Sequence, residues 1–369
     1  MALDATRNAV YDRALAQHVT PDSAVLDLGA GVGIFGMLAL KYGARHVYCV
    51  EPQDIGAIAT EIAAANGWTE RLTVLQGRIE DITLPEKVDI IVSAMTGNLL
   101  FNEDLLPTVF HARDTHLRSG GVLIPSAAAI DAVPVSAPKV LGRHLNSWTA
   151  DHLGVDMSAG RRYAANVIVF RDQKLRDARA LGDTRELFAI DLGSATYEKL
   201  DVSAELGVIA AGSCDGIAAW LRMKLGDEWL STGPFDPQVH WAAACVPVDP
   251  PVDVQAGDSV DFRLIRPPHG DWVWRARFGD QVRQGSTMFA RPQSRVTGHG
   301  EQAKPVATER AHAVAAAIAA MDGTVSVDVI AAEIAEEFPS LFPTRKQATG
   351  FVRRVARTHG RESGSAMGE

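Results

Sequence analysis

The chain has 369 residues, 47% hydrophobic and 22% charged, the composition of a folded globular protein, and its length predicts two or three domains. A net charge of −9 argues against a general nucleic-acid binder, and no apolar run reaches membrane-spanning length. Cys49, Cys214 and Cys245 lie far apart, without metal spacing, and fit a reducing compartment, by default the cytoplasm.

Residues 2–17 read as a helix, broken at Thr20-Pro21-Asp22. Val25-Leu26-Asp27-Leu28 is short and apolar enough for a buried strand. Gly29, Gly31 and Gly33 follow at alternate positions, then a helix over 34–42 stopped by Gly43, then a strand over 46–50 with Glu51 at its end. This βαβ unit has a turn tight enough for close ligand approach, backed by the free N–H groups of a helix start. A dinucleotide fingerprint would place glycine where Ile34 stands. Asp27, beside the loop, suits an ammonium better than a pyrophosphate, which points to S-adenosylmethionine. Glu51 can accept from ribose hydroxyls. Beyond it come a helix over 55–65, strands over 72–76 and 88–93, a helix over 105–117 and a strand over 122–124, so residues 1–125 predict a doubly wound α/β domain.

After Pro125 the texture becomes all-β, with strands expected over 129–135, 166–170, 187–192, 207–211, 217–225, 242–248 and 259–265, in a barrel or sandwich spanning 126–290. Residues 141–181 read as partly helical and form a candidate protruding arm. A polar linker (291–307), three helices within 308–359 and a disordered tail (360–369) complete the chain.

The stretch 93–125, SAMTGNLLFNEDLLPTVFHARDTHLRSGGVLIP, resembles the substrate loop and following helix of the protein arginine N-methyltransferase family, class I S-adenosylmethionine-dependent enzymes. Ser93, Gly97, Leu100, Phe101, Glu103, Leu106, Ala112-Arg113-Asp114, Gly121 and Pro125 carry the match. Asp4, Arg7 and Tyr11 are similar to the family's N-terminal helix, Ile79-Glu80-Asp81 to its adenine turn, Trp148 with Gly154, Asp156, Met157 and Ser158 to its dimerisation arm, and His240-Trp241 to its Thr-His-Trp loop.

The resemblance implies a Rossmann-like domain, a β-barrel with a helical dimerisation arm, a homodimer, and N-methylation of a peptide or protein side chain with S-adenosylmethionine as cofactor, without metal, membrane or nucleic acid. Arg7 would pair with the cofactor carboxylate, Gly29, Gly31 and Gly33 would pack under it, and Asp27 would support its amine. Glu51 would take the ribose, Glu80 the adenine, and Ser93 would border the site. Asp4 and His240 would form a buried pair joining helix to barrel, and with Glu103 would make the catalytic set.

One position departs. The family clamps guanidinium between two glutamates; here the first is Ala94 and only Glu103 remains, with Asp104 adjacent but unable to point alongside it. A planar cation with five donors needs several acceptors, whereas neutral imidazole has one N–H and one lone pair and can be oriented by a single carboxylate. Three readings stand at this point: histidine methylation, arginine methylation with an acid supplied from elsewhere, or cofactor binding without turnover. Met321 to Phe338 is faintly similar to the helical half of PqqD-like peptide-recognition domains, implying a ribosomally made precursor peptide as substrate.

Overall fold

The computed structural model describes residues 2–170, 175, 177–291 and 306–359. The chain divides into two compact units, Met1–Gln293 and Ser294–Glu369.

In the first unit α1 (Ala5–His18) precedes a five-stranded parallel sheet of β1 (Ala24–Leu28), β2 (His46–Glu51), β3 (Leu72–Gln76), β4 (Val88–Ser93) and β5 (Leu117–Ile124), in the order β3-β2-β1-β4-β5. Helices α2 (Ile34–Lys41), α3 (Ala57–Ala65) and α4 (Leu106–His116) make the crossovers. β1 is buried along its whole length and β4 nearly so, the signature of strands covered on both faces. Strand order reverses between β1 and β4, and ligands of such sheets bind outside the carboxyl ends of the strands at that reversal. The glycine loop leaves β1 there and the loop beginning at Ala94 leaves β4 there. α4 ends at His116, and β5 starts at Leu117, earlier than expected, because Leu117 already pairs with Val88 before a bulge.

Antiparallel strands follow: β6 (Ala127–Ser136), β7 (Val169–Phe170), β8 (Arg179–Ala180), β9 (Arg185–Asp191), β10 (Leu200–Gly207), β11 (Gly212–Leu225), β12 (Glu228–Ser231), β13 (Ala244–Val254), β14 (Ser259–Arg266), β15 (Val273–Phe278) and β16 (Gln281–Ser286). One sheet runs β7-β13-β11-β6-β8, with β9 also on β6 and β12 on β11; the other runs β10-β14-β15-β16. Their inner faces share the apolar core of the parallel domain, through Met223, Phe262, Leu264, Trp272 and Trp274 among others. Strands β8, β10, β12, β15 and β16 lie outside the expected set, and the expected strand over 207–211 is instead the exit from β10. β15 shows why. Val273, Arg275 and Arg277 face solvent while Trp274, Ala276 and Phe278 are buried, so a half-solvated strand lacks a continuous apolar run. The expected arm contains α5 (Arg143–Asn146) and α6 (Arg161–Ala164), each about one turn long, joined by largely irregular chain.

The second unit holds α7 (Glu309–Ala319), α8 (Val327–Glu337) and α9 (Arg345–His359). Thr308 and Ser326 cap the first two by accepting from Ala311 and Val329 amides. Ala313, Ala317, Ile330, Ile334, Phe351, Val352 and Val355 form its core, those of α9 lying on one helical stripe. Residues 292–305 of the expected linker (291–307) and the expected tail (360–369) lie outside the described residues.

Candidate functional site

Gly29, Gly31 and Gly33 all have left-handed backbones, with φ of 68°, 55° and 78°. A Cβ at Gly33 would lie 2.8 Å from Ala59 Cβ, so packing alone excludes a side chain there. At Gly31 it would meet nothing within 4 Å: the backbone borders open space that a side chain would fill. Glu51 closes this cradle. Its Oε2 accepts from the Gly31 amide (2.9 Å) and its Oε1 from the Gln53 amide (3.0 Å). Each oxygen keeps a lone pair for a hydroxyl.

Among the described residues three buried charged side chains hold an atom without a protein partner: Arg266, through its Nε, and the two nearest the cradle, Arg7 and Asp27. Arg7 is 1% exposed, with Phe35 and Trp241 rings 5.0 and 5.6 Å from its guanidinium carbon. Its Nε and Nη2 donate to Asn8 Oδ1, at 3.1 and 2.8 Å, and its Nη1 donates to nothing. Burial lowers its pKa, opposed by the fields of Tyr11, Asp4 and Asp27. Asp27 is fully buried; Oδ2 accepts from the Gly36 amide (2.8 Å) and Oδ1 has no partner. Burial pushes its carboxyl up to about 7, against the Gly36 bond and Arg7, with the Glu51 charge adding to the rise. Buried polar atoms are nearly always bonded, so an orphaned guanidinium donor and an orphaned carboxylate oxygen beside an open glycine cradle fit a ligand carrying both a carboxylate and an ammonium. The methionine half of S-adenosylmethionine carries both.

The remaining expected site residues fall into different positions. Ser93 is 1% exposed, and its hydroxyl donates to Leu28 O (2.8 Å) while accepting from the Met95 amide (3.0 Å). It therefore ties the ends of β1 and β4 together, helped by the Tyr11 hydroxyl donating to Ser93 O (2.8 Å). Asp4 and His240 do not form a buried side-chain pair. Asp4 Oδ1 caps α1 by accepting from the Arg7 amide (3.0 Å), and Oδ2 accepts from the backbone N–H of His240 (2.6 Å), a residue that is itself exposed. A carboxylate one residue before a helix has amide donors within reach on both sides, and these satisfy it without the ring. The bond still fastens α1 to the segment that carries Trp241 over Arg7. Glu80 Oε1 accepts from Thr108 Oγ1 on α4 (2.6 Å), and its Oε2 lies 3.5 Å from Arg78 Nε.

In the loop after β4, Leu99, Leu100 and Phe101 are buried and Glu103 is exposed. Gly97 has φ 60°, and a Cβ there would come within 3.1 Å of the Glu103 carboxyl group, so glycine lets Glu103 fold back over its own loop. Asp104, by contrast, is consumed. Arg266 Nη1 and Nη2 donate to its two oxygens at 2.7 and 2.8 Å, the Tyr197 hydroxyl donates at 2.5 Å and the His269 amide at 3.1 Å. The Arg266 bonds above all hold Asp104 far below the usual carboxylate range. Burial and then Asp104 push the Tyr197 hydroxyl up to about 12. Sequence reasoning found none of Tyr197, Arg266, Trp272, Asn98 or Asn102, because their partners lie across the fold and no local pattern marks them.

Comparison with known proteins agrees with this geometry. Residues 25–121 match a family described as a methyltransferase domain, and residues 126–275 match the arginine methyltransferase oligomerization subdomain. Protein arginine N-methyltransferase 6 of Danio rerio is 33% identical over 252 residues, 65% of this chain and 72% of that protein. The enzyme of the same name from Xenopus laevis is 30% identical over 281 residues, 73% of this chain and 82% of its own. A solved Trypanosoma brucei PRMT1 enzyme–prozyme complex with AdoHcy shares the fold, with a TM-score of 0.67, 24% identity, and coverage of 77% of this chain and 95% of that one. Among the described residues no helix is long and apolar enough to cross a membrane, and no cluster of His, Cys, Asp and Glu could hold a metal ion. The chain belongs to the protein arginine N-methyltransferase family of S-adenosylmethionine-dependent enzymes, with a methyltransferase domain followed by the oligomerization subdomain.

Proposed function

We propose that the protein N-methylates a side-chain nitrogen of a protein or peptide, with arginine as first acceptor and Glu103 as the residue that orients it. The observation that carries the reading is the pair of orphaned buried atoms, Arg7 Nη1 and Asp27 Oδ1, at the strand reversal from which the Glu103 loop also departs. Arg7 would take the cofactor carboxylate, Asp27 its amine and Glu51 the ribose, while Gly29, Gly31 and Gly33 admit its backbone and Glu80 borders the adenine. Bound S-adenosylmethionine supplies a methyl on a cationic sulfur, already activated for in-line displacement. The chain's own part is therefore alignment and exclusion of water, and alignment contributes about 7–11 kcal/mol in well-oriented systems. Glu103 would accept an N–H of the acceptor and aim a neighbouring nitrogen at that methyl, the surplus proton leaving to solvent after transfer.

Ala94 favours a second reading, imidazole as acceptor, since the loop offers one free carboxylate and its neighbour is tied to Arg266. Leaving a desolvated cation without one of its charged partners costs about 3–5 kcal/mol, which neutral imidazole avoids. A homodimer through the arm is supported by the large apolar side chains it exposes in the single chain, Leu153 fully and Val155 and Met157 about half. A peptide substrate, with a ribosomally made precursor as its narrowest form, is supported by the cations Arg345, Lys346 and Arg353 on α9.

The test is methyl transfer from labelled cofactor to arginine- and histidine-containing peptides and proteins, with mass mapping of the product. Glu103→Gln should reduce it to a residual rate. Cofactor binding with no transfer to either residue would leave a cofactor-binding scaffold instead.

A further inference from the structure

We propose that Arg266 is a positioning residue for Glu103: by locking Asp104 it sets the carboxylate that aims the acceptor nitrogen. The inference rests on the reading of Glu103 given above.

The loop cannot hold itself. Leu99, Leu100 and Asp104 have φ of 51°, 60° and 51°, left-handed values that side chains rarely adopt and that persist only where the surroundings impose them. The surroundings here are the antiparallel sheets and the segments that connect their strands. Asn98 Oδ1 accepts from the Ala242 amide (2.9 Å) and Asn102 Oδ1 from Trp272 Nε1 (3.1 Å). Phe101 packs against the rings of Phe188 and Tyr197, with centroids 5.6 and 6.4 Å away. The two residues flanking Glu103 are thus both bonded to the far domain, Asn102 to Trp272 and Asp104 to Arg266, while Glu103 itself stays exposed.

Of these ties the Arg266 fork is the stiffest. It is a bidentate pair with both charged heads largely buried, and the Trp272 ring lies 5.6 Å from the guanidinium carbon, so one cluster secures both flanks. A planar fork on a carboxylate restricts rotation as well as distance, which a single point charge does not. Arg266 is far from the cradle residues in sequence and bonds none of them, so its effect should fall on acceptor alignment and spare cofactor binding.

The experiment compares Arg266→Met and Arg266→Lys, each alone and combined with Glu103→Gln, by steady-state kinetics with a peptide acceptor, cofactor titration and thermal unfolding. Arg266→Met should lower kcat roughly a hundredfold, the effect of a misplacement of about 1 Å, with cofactor Kd unchanged within about twofold. Arg266→Lys should recover only part of the loss. Added to Glu103→Gln, Arg266→Met should cost nothing beyond the residual rate of that variant. Arg266→Lys keeps the positive charge beside Asp104 and loses the planar fork, so it should show a selective fall in kcat even if Arg266→Met does not fold. The proposal is overturned if Arg266→Met, or Arg266→Lys where the methionine variant does not fold, turns over normally while Glu103→Gln does not. It is equally overturned if the Arg266→Met loss persists in full in the Glu103→Gln background, which would mark general structural damage. Normal turnover of Glu103→Gln itself would instead remove the underlying reading of Glu103.

Discussion

Replacing Arg7 by methionine should separate binding from stability in opposite directions. The side chain is 1% exposed and its Nη1 has no protein partner, so in the free protein it is a buried cation held by one amide oxygen and two aromatic rings. Methionine keeps much of the volume and needs no donor satisfied. Relief of desolvation then offsets the lost Asn8 bonds, and the free protein should unfold at the same temperature or a few degrees higher. With cofactor the balance reverses. A bound carboxylate left without its counter-charge in a desolvated site costs about 3–5 kcal/mol, and at about 1.4 kcal/mol per decade affinity should fall by roughly two to three and a half decades. Isothermal titration gives the affinity, and thermal unfolding with and without cofactor gives both signs. A Kd within about threefold of the parent would refute the assignment of Nη1 to the ligand. A large fall in the unfolding temperature without ligand would show that Arg7 serves the fold.

Asp27→Asn should remove a pH dependence. The folded carboxyl, at about 7, lies above its unfolded value of ~3.9, so the stability it contributes is complete below the unfolded value and is lost as pH rises from there through 7. The full difference amounts to at most about 4 kcal/mol; denaturant unfolding at pH 5 and pH 8 should show most of that drop in the parent and a smaller one in the variant, and identical drops would refute it. Ala94→Glu should raise arginine-peptide turnover roughly tenfold or more without changing cofactor Kd, and no change would mean that the second acid comes from elsewhere. Leu153→Asp with Met157→Asp should convert a dimer to a monomer by light scattering with little effect on unfolding temperature; a persisting dimer would place the interface off the arm.

Much of the fold was legible in local pattern. Apolar runs of four to six residues, glycine stops and cap residues marked β1, α2, β2, β4 and the three C-terminal helices, because backbone geometry and burial have a short period that the chain displays directly. Asp27, the three glycines and Glu51 could be read as one cradle because a βαβ unit brings neighbouring segments together. Half-solvated strands such as β15 and β16 escaped notice, since alternation with arginine and glutamine resembles exposed loop.

What only the tertiary structure decided was the partner of each charge. In the sequence Glu103 and Asp104 stand side by side as two acids of similar chemistry; Arg266, 162 residues beyond Asp104, takes that aspartate and leaves Glu103 exposed. Likewise Asp4 bonds the His240 backbone and not its ring, and Arg7 and Asp27 emerge as charged groups with an atom left over. Side-chain pairing depends on distances between segments far apart in the chain, which no local periodicity encodes. The residue types at this site could therefore be read from the sequence, but the choice of which carboxylates remain free for chemistry was made by the packing of the antiparallel sheets against the loop after β4.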